Sequence, residues 1–352
     1  MNSPLVTTII DTYNHEKFIE KAIRSVLEQE LDGYNLEIIV IDDGSTDNTP
    51  EIIKNFIPRV RYIRKNNGGQ ATAFNVSIPE AQGEIIAFLD GDDWWEKNKL
   101  KTVLEVLAQK PQIGAVGHGI IEMYADGKEH LVAASQPLEI HLQNKSSALV
   151  FRDIKCLLGT SRFTARKTIL AQILPIPEQL TVEADEYMFT IAATLSPVVV
   201  IQQALTYYRL HGGNLYQIQN YDRTKLWRKY QVLAGLIQKL PPKLTELGLH
   251  KEVIDILIAP IWVEAERLRL SMQGGTPWQT FIVEQAAYNL SQGKGNKIKT
   301  LKHYFFKNLV FALALLMTPQ LFYQIRSKYA AINNSQKKTL DKTQTFINLT
   351  GS

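Results

Sequence analysis

The chain has 352 residues, 45% of them hydrophobic and 21% charged, which excludes a disordered, collagenous or coiled-coil protein. Its net charge of +4 conceals a division. Residues 221–352 carry 19 Lys/Arg against 8 Asp/Glu and residues 1–220 carry 20 against 27, an acidic front and a basic back that suggest two different partners.

A single cysteine, Cys156, excludes an internal disulfide framework and a Cys-rich zinc site, and points to a reducing compartment. The first residues lack a basic segment followed by an apolar core, so no signal peptide is expected. No run reaches the roughly 18 apolar residues of a spanning helix.

In chain order, Val6–Ile10 predicts a strand, and Phe18, Ile19, Ala22, Ile23, Val26 and Leu27 recur at helical spacing. Leu36–Ile41 is a second strand, stopped by Asp42-Asp43-Gly44-Ser45. Thr49-Pro50 then gives an N-cap and a first-turn proline. Val60–Ile63 predicts a third strand, and Asn67-Gly68-Gly69 a turn into a helix over about Gln70–Ala81. Glu84–Leu89 is a fourth strand running into Asp90-Gly91-Asp92-Asp93. This alternation argues for a parallel sheet with helices on both faces, which binds ligands outside the carboxyl ends of its strands.

Regularity falls beyond residue 114. The pattern there predicts a strand near Ala115–Gly117, an extended piece near 119–133, a helix near 182–195 and a strand at Pro197–Ile201. From about residue 220 it turns helical, over Leu226–Leu240, Lys251–Leu270 and Gln279–Leu290, and the tail after Ala330 is polar. The expected division is 1–220, a helical region 221–330 and a tail 331–352.

Carboxylates collect at two of the strand ends, as Asp42/Asp43 and Asp90/Asp92/Asp93. A single Asp-Gly is ordinary turn chemistry, because aspartate bonds its own backbone and glycine tolerates positive φ. Two clusters of like charge, each closing a buried strand, instead ask for a positive partner. Mg²⁺ or Mn²⁺ takes one or two carboxylates and fills its shell with phosphate oxygens and water. Such an ion neutralises the charge that develops on a diphosphate leaving group.

Thr12-Tyr13-Asn14, Ile41-Asp42-Asp43-Gly44-Ser45-Thr46-Asp47, Asn67-Gly68-Gly69 with Ala73 and Asn75, and Gly83-Glu84 through Phe88-Leu89-Asp90-Gly91-Asp92-Asp93 resemble family 2 glycosyltransferases in order and spacing. These are inverting enzymes of the GT-A fold. A lone Asp-X-Asp would carry little, but the series of four is specific, and the resemblance extends over about residues 4–215. It implies an α/β GT-A fold, a Rossmann-like mixed sheet flanked by helices, and a nucleotide-diphospho-sugar donor with UDP favoured. Tyr13 and Asp43 would hold the base, with Thr12 nearby. Asn75, Asp90, Gly91 and Asp92 would complete the donor site, and Asp92 and Asp93 would hold the metal, the direct ligand among the three aspartates staying open. Two positions depart from the family pattern: Asp11 stands where proline or threonine is frequent, and Phe74 where arginine commonly precedes the asparagine.

Inverting transfer needs a base that takes the proton of the attacking hydroxyl. The resemblance implies a Glu-Asp pair opening a later helix, and Thr181-Val182-Glu183-Ala184-Asp185-Glu186-Tyr187 occupies that place with three carboxylates. Asp185 is the expected base, with Glu186 and Glu183 as alternates. The competing reading is an acidic first turn that complements the helix dipole. Tyr207-Tyr208-Arg209-Leu210-His211-Gly212-Gly213-Asn214 resembles the segment that ends such catalytic domains, with His211 on metal or diphosphate and Arg209 offsetting charge, or else a solvated loop. Trp94-Trp95 either stack on a sugar or open a helix packed into the core. His15 and His118 receive no role.

From Gln285 to Ser352, ten cations (Lys294, Lys297, Lys299, Lys302, Lys307, Arg326, Lys328, Lys337, Lys338 and Lys342) stand against Asp341 alone. Together with Tyr304-Phe305-Phe306, Leu309–Met317 and Leu321-Phe322-Tyr323, they fit an interfacial helix on an anionic membrane surface. A buried hairpin with a basic solvated face fits equally, and no nucleic-acid motif appears. The expectation is a metal-assisted, inverting hexosyltransferase acting on a glycan, lipid-linked or other hydroxyl acceptor. Its setting would be polysaccharide assembly for the cell envelope, in the cytoplasm or at the inner face of the membrane. The rivals are a catalytically idle nucleotide- or partner-binding module and a nucleotidyltransferase. The latter is disfavoured because no Gly-rich Lys/Arg signature opens the chain.

Overall fold

A computed structural model describes residues 3–211, 223–292, 301–326 and 344–347. The elements are β1 (Leu5–Thr12), α1 (Ile19–Leu27), β2 (Asn35–Asp42), α2 (Thr49–Lys54), β3 (Arg61–Arg64), α3 (Gln70–Glu80), β4 (Ile85–Asp90), β5 (Trp94–Trp95) and α4 (Lys99–Gln109). They continue with β6 (Ala115–Met123), β7 (Glu129–Ala134), β8 (Leu138–Ile140), α5 (Lys145–Ile154), β9 (Thr164–Arg166), α6 (Lys167–Ile173), α7 (Ala184–Leu195) and β10 (Val198–Arg209). After these come α8 (Arg223–Glu246), α9 (Lys251–Gln273), α10 (Pro277–Gln292), α11 (Leu301–Leu316) and β11 (Gln344–Ile347). Gly212 to Asn214 and the cations Lys294, Lys297, Lys299, Lys328, Lys337, Lys338 and Lys342, with Asp341, lie outside the described residues.

The sheet runs β11-β7-β6-β9-β4-β1-β2-β3, with β10 beside β6. Its β4-β1-β2-β3 half is parallel, as the strand–helix alternation predicts. The other half is mixed, because β9 enters antiparallel between β4 and β6. Strand alternation separates two cores. Ile9, Ile39, Ile41, Ile86 and Phe88 face one side, and Ile10, Ile38, Val40, Ala87 and Leu89 face the other. The second side is covered by α1, α2 and α4. The first is covered by α3, α5, α6 and α7, and the same core takes in Leu233, Leu236 and Leu240 of α8 and Ile254, Leu257 and Ile261 of α9. Helices α10 and α11 pack with residues 319–326 around a smaller core of Val263, Leu270, Val283, Ala314, Phe322 and Tyr323.

Three elements differ from the sequence pattern. Trp94-Trp95 form strand rather than opening a helix, because they pair antiparallel with Thr206 and Tyr207. β10 runs on past Ile201 to Arg209, carried by irregularities between Val200 and Thr206 that let it keep pairing with β6. Helix α7 starts at Ala184, because Glu183 holds a left-handed φ of 55°.

Candidate active site

The parallel register brings the acidic strand ends side by side. Thr12 lies opposite Asp42, and Asp11 opposite Asp90. Past the strands the contact continues, with Asp43 N–H donating to the Thr12 carbonyl and Gly91 N–H to that of Asp11, both at 2.9 Å.

The first cluster splits into a structural and an available half. Asp42 is fully buried and accepts from Ser45 N–H and the Tyr62 hydroxyl, each at 2.7 Å. Asp43 accepts from Gly68 N–H at 3.0 Å and Gly69 N–H at 2.7 Å, and pairs with Lys65. A carboxylate offers about four acceptor positions, so one remains. Tyr13, next in sequence to Thr12, whose carbonyl accepts from Asp43 N–H, is 41% exposed, and Thr12 Oγ1 lies 3.2 Å from His15 Nδ1. Gly69 is required: at φ 85° any side chain is strained, and a methyl there would sit 2.4 Å from Thr181 Cα.

In the second cluster Asp93 is turned inward. It accepts from Arg209 N–H at 3.0 Å and from Ser161 Oγ–H at 2.6 Å. Asp92 keeps 15% exposure, with His211 Nε2 at 3.0 Å and His15 Nε2 at 4.0 Å from its Oδ2. Gly91 allows this turn, since a methyl there would lie 2.7 Å from Thr12 Oγ1 and 2.8 Å from His15 Nδ1. Arg209 places its guanidinium between the rings of Phe18 and Trp94, at 4.7 and 4.5 Å, and its Nε–H donates to the Asp92 carbonyl at 3.0 Å.

The charges here are unequal. Burial pushes Asp90 up to about 7, and the negative charges of Asp92 and Asp185 add to it. Asp11 and Asp93 are also held well above the ordinary carboxylate value, again chiefly by burial. Burial opposes the ionised form of Asp92 too, but the His211 hydrogen bond and the charges of His15 and His211 outweigh it, leaving its pKa below the ordinary value. Asp92 is therefore the permanent anion of the group.

Asp185 sits at the first turn of α7, joined to the same cluster. Thr160 N–H and Oγ1–H donate to its Oδ2 at 3.0 and 3.1 Å. Gln70 Nε2 reaches Thr160 Oγ1 at 3.1 Å and Asp90 Oδ1 at 3.4 Å, while Gln70 Oε1 accepts from Ala184 N–H at 3.0 Å. The alternates are placed differently. Glu186 pairs with Lys155. Burial raises Glu183 to about 8, so near neutrality it holds a proton and cannot take one.

Gln70, Thr160, Ser161 and His15 were not singled out by the sequence. For His15, its place three residues past Thr12 at a strand end was the available signal. Asn75 stands apart from the cluster, its amide donating to and accepting from the Ile176 backbone, both at 2.8 Å. Phe74 is buried, edge-on to Phe88. Trp95 is buried, and Trp94 stacks on Tyr207 at 4.9 Å with Lys21 Nζ 3.4 Å from its ring, so both serve packing. His118 is buried within β6.

Among the described residues no three His, Cys, Asp or Glu side chains form a ready cage for a metal. What they offer is a partly exposed Asp92 carboxylate beside the His211 imidazole, with the buried Asp11 Oδ1 lacking any hydrogen-bond partner. This donor set fits Mg²⁺ or Mn²⁺ in the mode where phosphate oxygens and water supply most of the shell.

A mixed sheet with aspartates gathered at the ends of its parallel strands is the architecture of GT-A glycosyltransferases. S. aureus TarS 1-349 in complex with UDP-GlcNAc shares it at a TM-score of 0.51, with 16% identity, over 95% of this chain and 92% of that one. Residues 7–170 match the family model Glycosyl transferase family 2, and in that segment the chain belongs to this family. An uncharacterized glycosyltransferase of Nostoc sp. is 32% identical over 216 residues, covering 59% of this chain and 66% of that protein. One from Rickettsia typhi is 27% identical over 307 residues, covering 82% of this chain and 92% of that protein.

Proposed function

We propose that the chain moves a sugar from a nucleotide-diphospho-sugar to an acceptor hydroxyl with inversion at the anomeric carbon. The observation that supports this reading is the linkage of Asp185 to the Asp90–Asp93 cluster through Gln70 and Thr160, as expected of a base that works next to a diphosphate-binding acidic cluster. Asp185 takes the proton of the acceptor hydroxyl as its oxygen attacks from the face opposite the leaving diphosphate. Tyr13 covers the nucleotide base, with Thr12 beside it. Asp43 uses its remaining acceptor position on a base N–H, which suits N3 of uracil and favours a UDP-sugar. Asp90 and Gly91 line the ribose and diphosphate. Asp92 and His211, supported by Asp93, would hold Mg²⁺ or Mn²⁺, which would supply charge neutralisation on the leaving diphosphate. Arg209 adds positive charge at the same edge.

Acceptors of this kind are glycans or lipid-linked sugars in bacterial polysaccharide assembly, at the cytoplasmic face of the membrane. For the helical region, an anionic lipid surface is the proposed contact. Trp278 (59% exposed) on α10 and Leu316 (81%) on α11 flank the lysines Lys294, Lys297, Lys299, Lys302 and Lys307 in sequence. Among the described residues no helix is long and apolar enough to cross a membrane.

The test is a panel of UDP- and GDP-sugars with Mn²⁺ or Mg²⁺, scored for release of nucleoside diphosphate. Asp185→Asn should abolish release and leave UDP binding intact. Release of pyrophosphate would favour a nucleotidyltransferase, and binding without turnover an idle module.

A further inference from the structure

The turn between α5 and β9 contributes two buried hydroxyls, those of Thr160 and Ser161. Residues Thr160–Arg162 form a short 3-10 turn whose first two side chains point to opposite halves of the site. Ser161 Oγ–H donates to Asp93 and accepts from Asp90 N–H at 3.1 Å, while its carbonyl accepts from Trp95 Nε1–H and Thr206 Oγ1–H, both at 2.8 Å. The turn is thus fixed on the donor side by bonds to β4, β5 and β10. Thr160 faces the other way and gives both its donors to one oxygen of Asp185. Thr160 Oγ1 in turn accepts from Gln70 Nε2, which fixes where its own proton points. Gln70 is anchored at the opposite end of its amide by Ala184 N–H, at the start of the helix that carries Asp185.

We propose that Thr160 is the positioning residue for the base, and that Gln70 orients it. Resting on the functional reading above, this makes the turn at residues 159–162 the part that fixes the Asp185 carboxylate relative to the donor carboxylates. With Oδ2 held by two donors and Oδ1 accepting from Glu186 N–H at 2.9 Å, these bonds fix the orientation in which the carboxylate meets the attacking hydroxyl. Orientation matters because a base displaced by about 1 Å loses on the order of 100-fold in rate.

The experiment compares the full chain with Thr160→Val, Thr160→Ser and Asp185→Asn, on whichever UDP- or GDP-sugar the wild type turns over. UDP affinity with Mn²⁺ is measured by calorimetry on each. Thr160→Val keeps shape and the backbone donor but loses the hydroxyl. Its kcat is expected to fall by about 10- to 100-fold, less than the loss from Asp185→Asn, with donor KM and UDP affinity changed by less than about twofold. Thr160→Ser restores the hydroxyl and should return kcat to within about threefold of wild type.

The inference is overturned if Thr160→Val keeps kcat within about twofold, if Ser and Val fall alike, or if UDP binding is lost in step with turnover. The functional reading fails differently. A wild type that turns over no donor, or an Asp185→Asn enzyme that still does, removes that reading and this one with it.

Discussion

Glu183→Gln tests the electrostatics at the start of α7. Burial is the main cause that lifts the Glu183 carboxyl from an ordinary 4.5 to about 8. Lys229 opposes it, and the charges of Glu186, Asp185 and Glu264 reinforce it. Between those two values the folded chain holds a proton that the unfolded chain has released. Stability from this group is therefore complete below about pH 4.5 and is lost as pH rises toward 8. The ceiling is about 1.4 kcal/mol per pH unit. Residual solvent contact reduces the effect, and about half that slope is a reasonable expectation. Glutamine keeps the shape and cannot ionise, so the variant should gain on wild type steadily as pH rises. Urea unfolding of both proteins at about pH 5.5, 6.5 and 7.5, read as the difference between them, isolates Glu183 from the other raised carboxyls. A difference that stays constant across the three pH values would refute the reasoning.

Phe74→Ala should cost about 3–5 kcal/mol in urea unfolding, because the ring is fully buried against Phe88; a donor-contacting Phe74 would instead lose UDP affinity with little change in stability. Lys99 is buried with its Nζ 3.7 Å from the Trp95 ring centre and one bond to Thr164 Oγ1 at 2.8 Å, and burial holds its pKa well below the ordinary value. Between that lowered value and 10.5 the folded chain lacks a proton that the unfolded chain binds, and Lys99→Met, which removes the cost of burying the amine, should stabilise the fold. That gain should shrink as pH approaches 10.5, measured by chemical denaturation. Gly69→Ala should cost at least about 2 kcal/mol and weaken UDP binding, since the methyl strikes the Thr181 backbone and shifts Gln70; calorimetry with UDP and Mn²⁺ reads the second effect.

What the sequence made legible was local. The unbroken apolar run Ile38-Ile39-Val40-Ile41 encodes a strand buried on both faces, and the aspartates that end it and β4 announce the cleft without any tertiary information. The bracket around Asp185 had no such signal. Gln70 meets Ala184 across 114 positions and Thr160 across 90, so ordinary polar residues acquire their role only from the fold. Local pattern also misled at Trp94-Trp95, where pairing with β10 overrode the helix expected there. Charge counting divided the chain near residue 220, but α8 and α9 share one core with the sheet. Hydrophobic continuity is invisible to a tally of lysines and aspartates.

The partners of Asp93 carry a consequence for how the chain is made. Its two carboxylate oxygens are satisfied by Ser161 and Arg209, 68 and 116 residues further along. A chain that has passed Asp93 already contains Gln70 for Asp90 and His15 for Asp92, but both folded-state partners of Asp93 are still to be synthesised. Such separations raise contact order and delay closure. The Asp93 corner of the site is therefore completed only when β10, which carries Arg209, is in place.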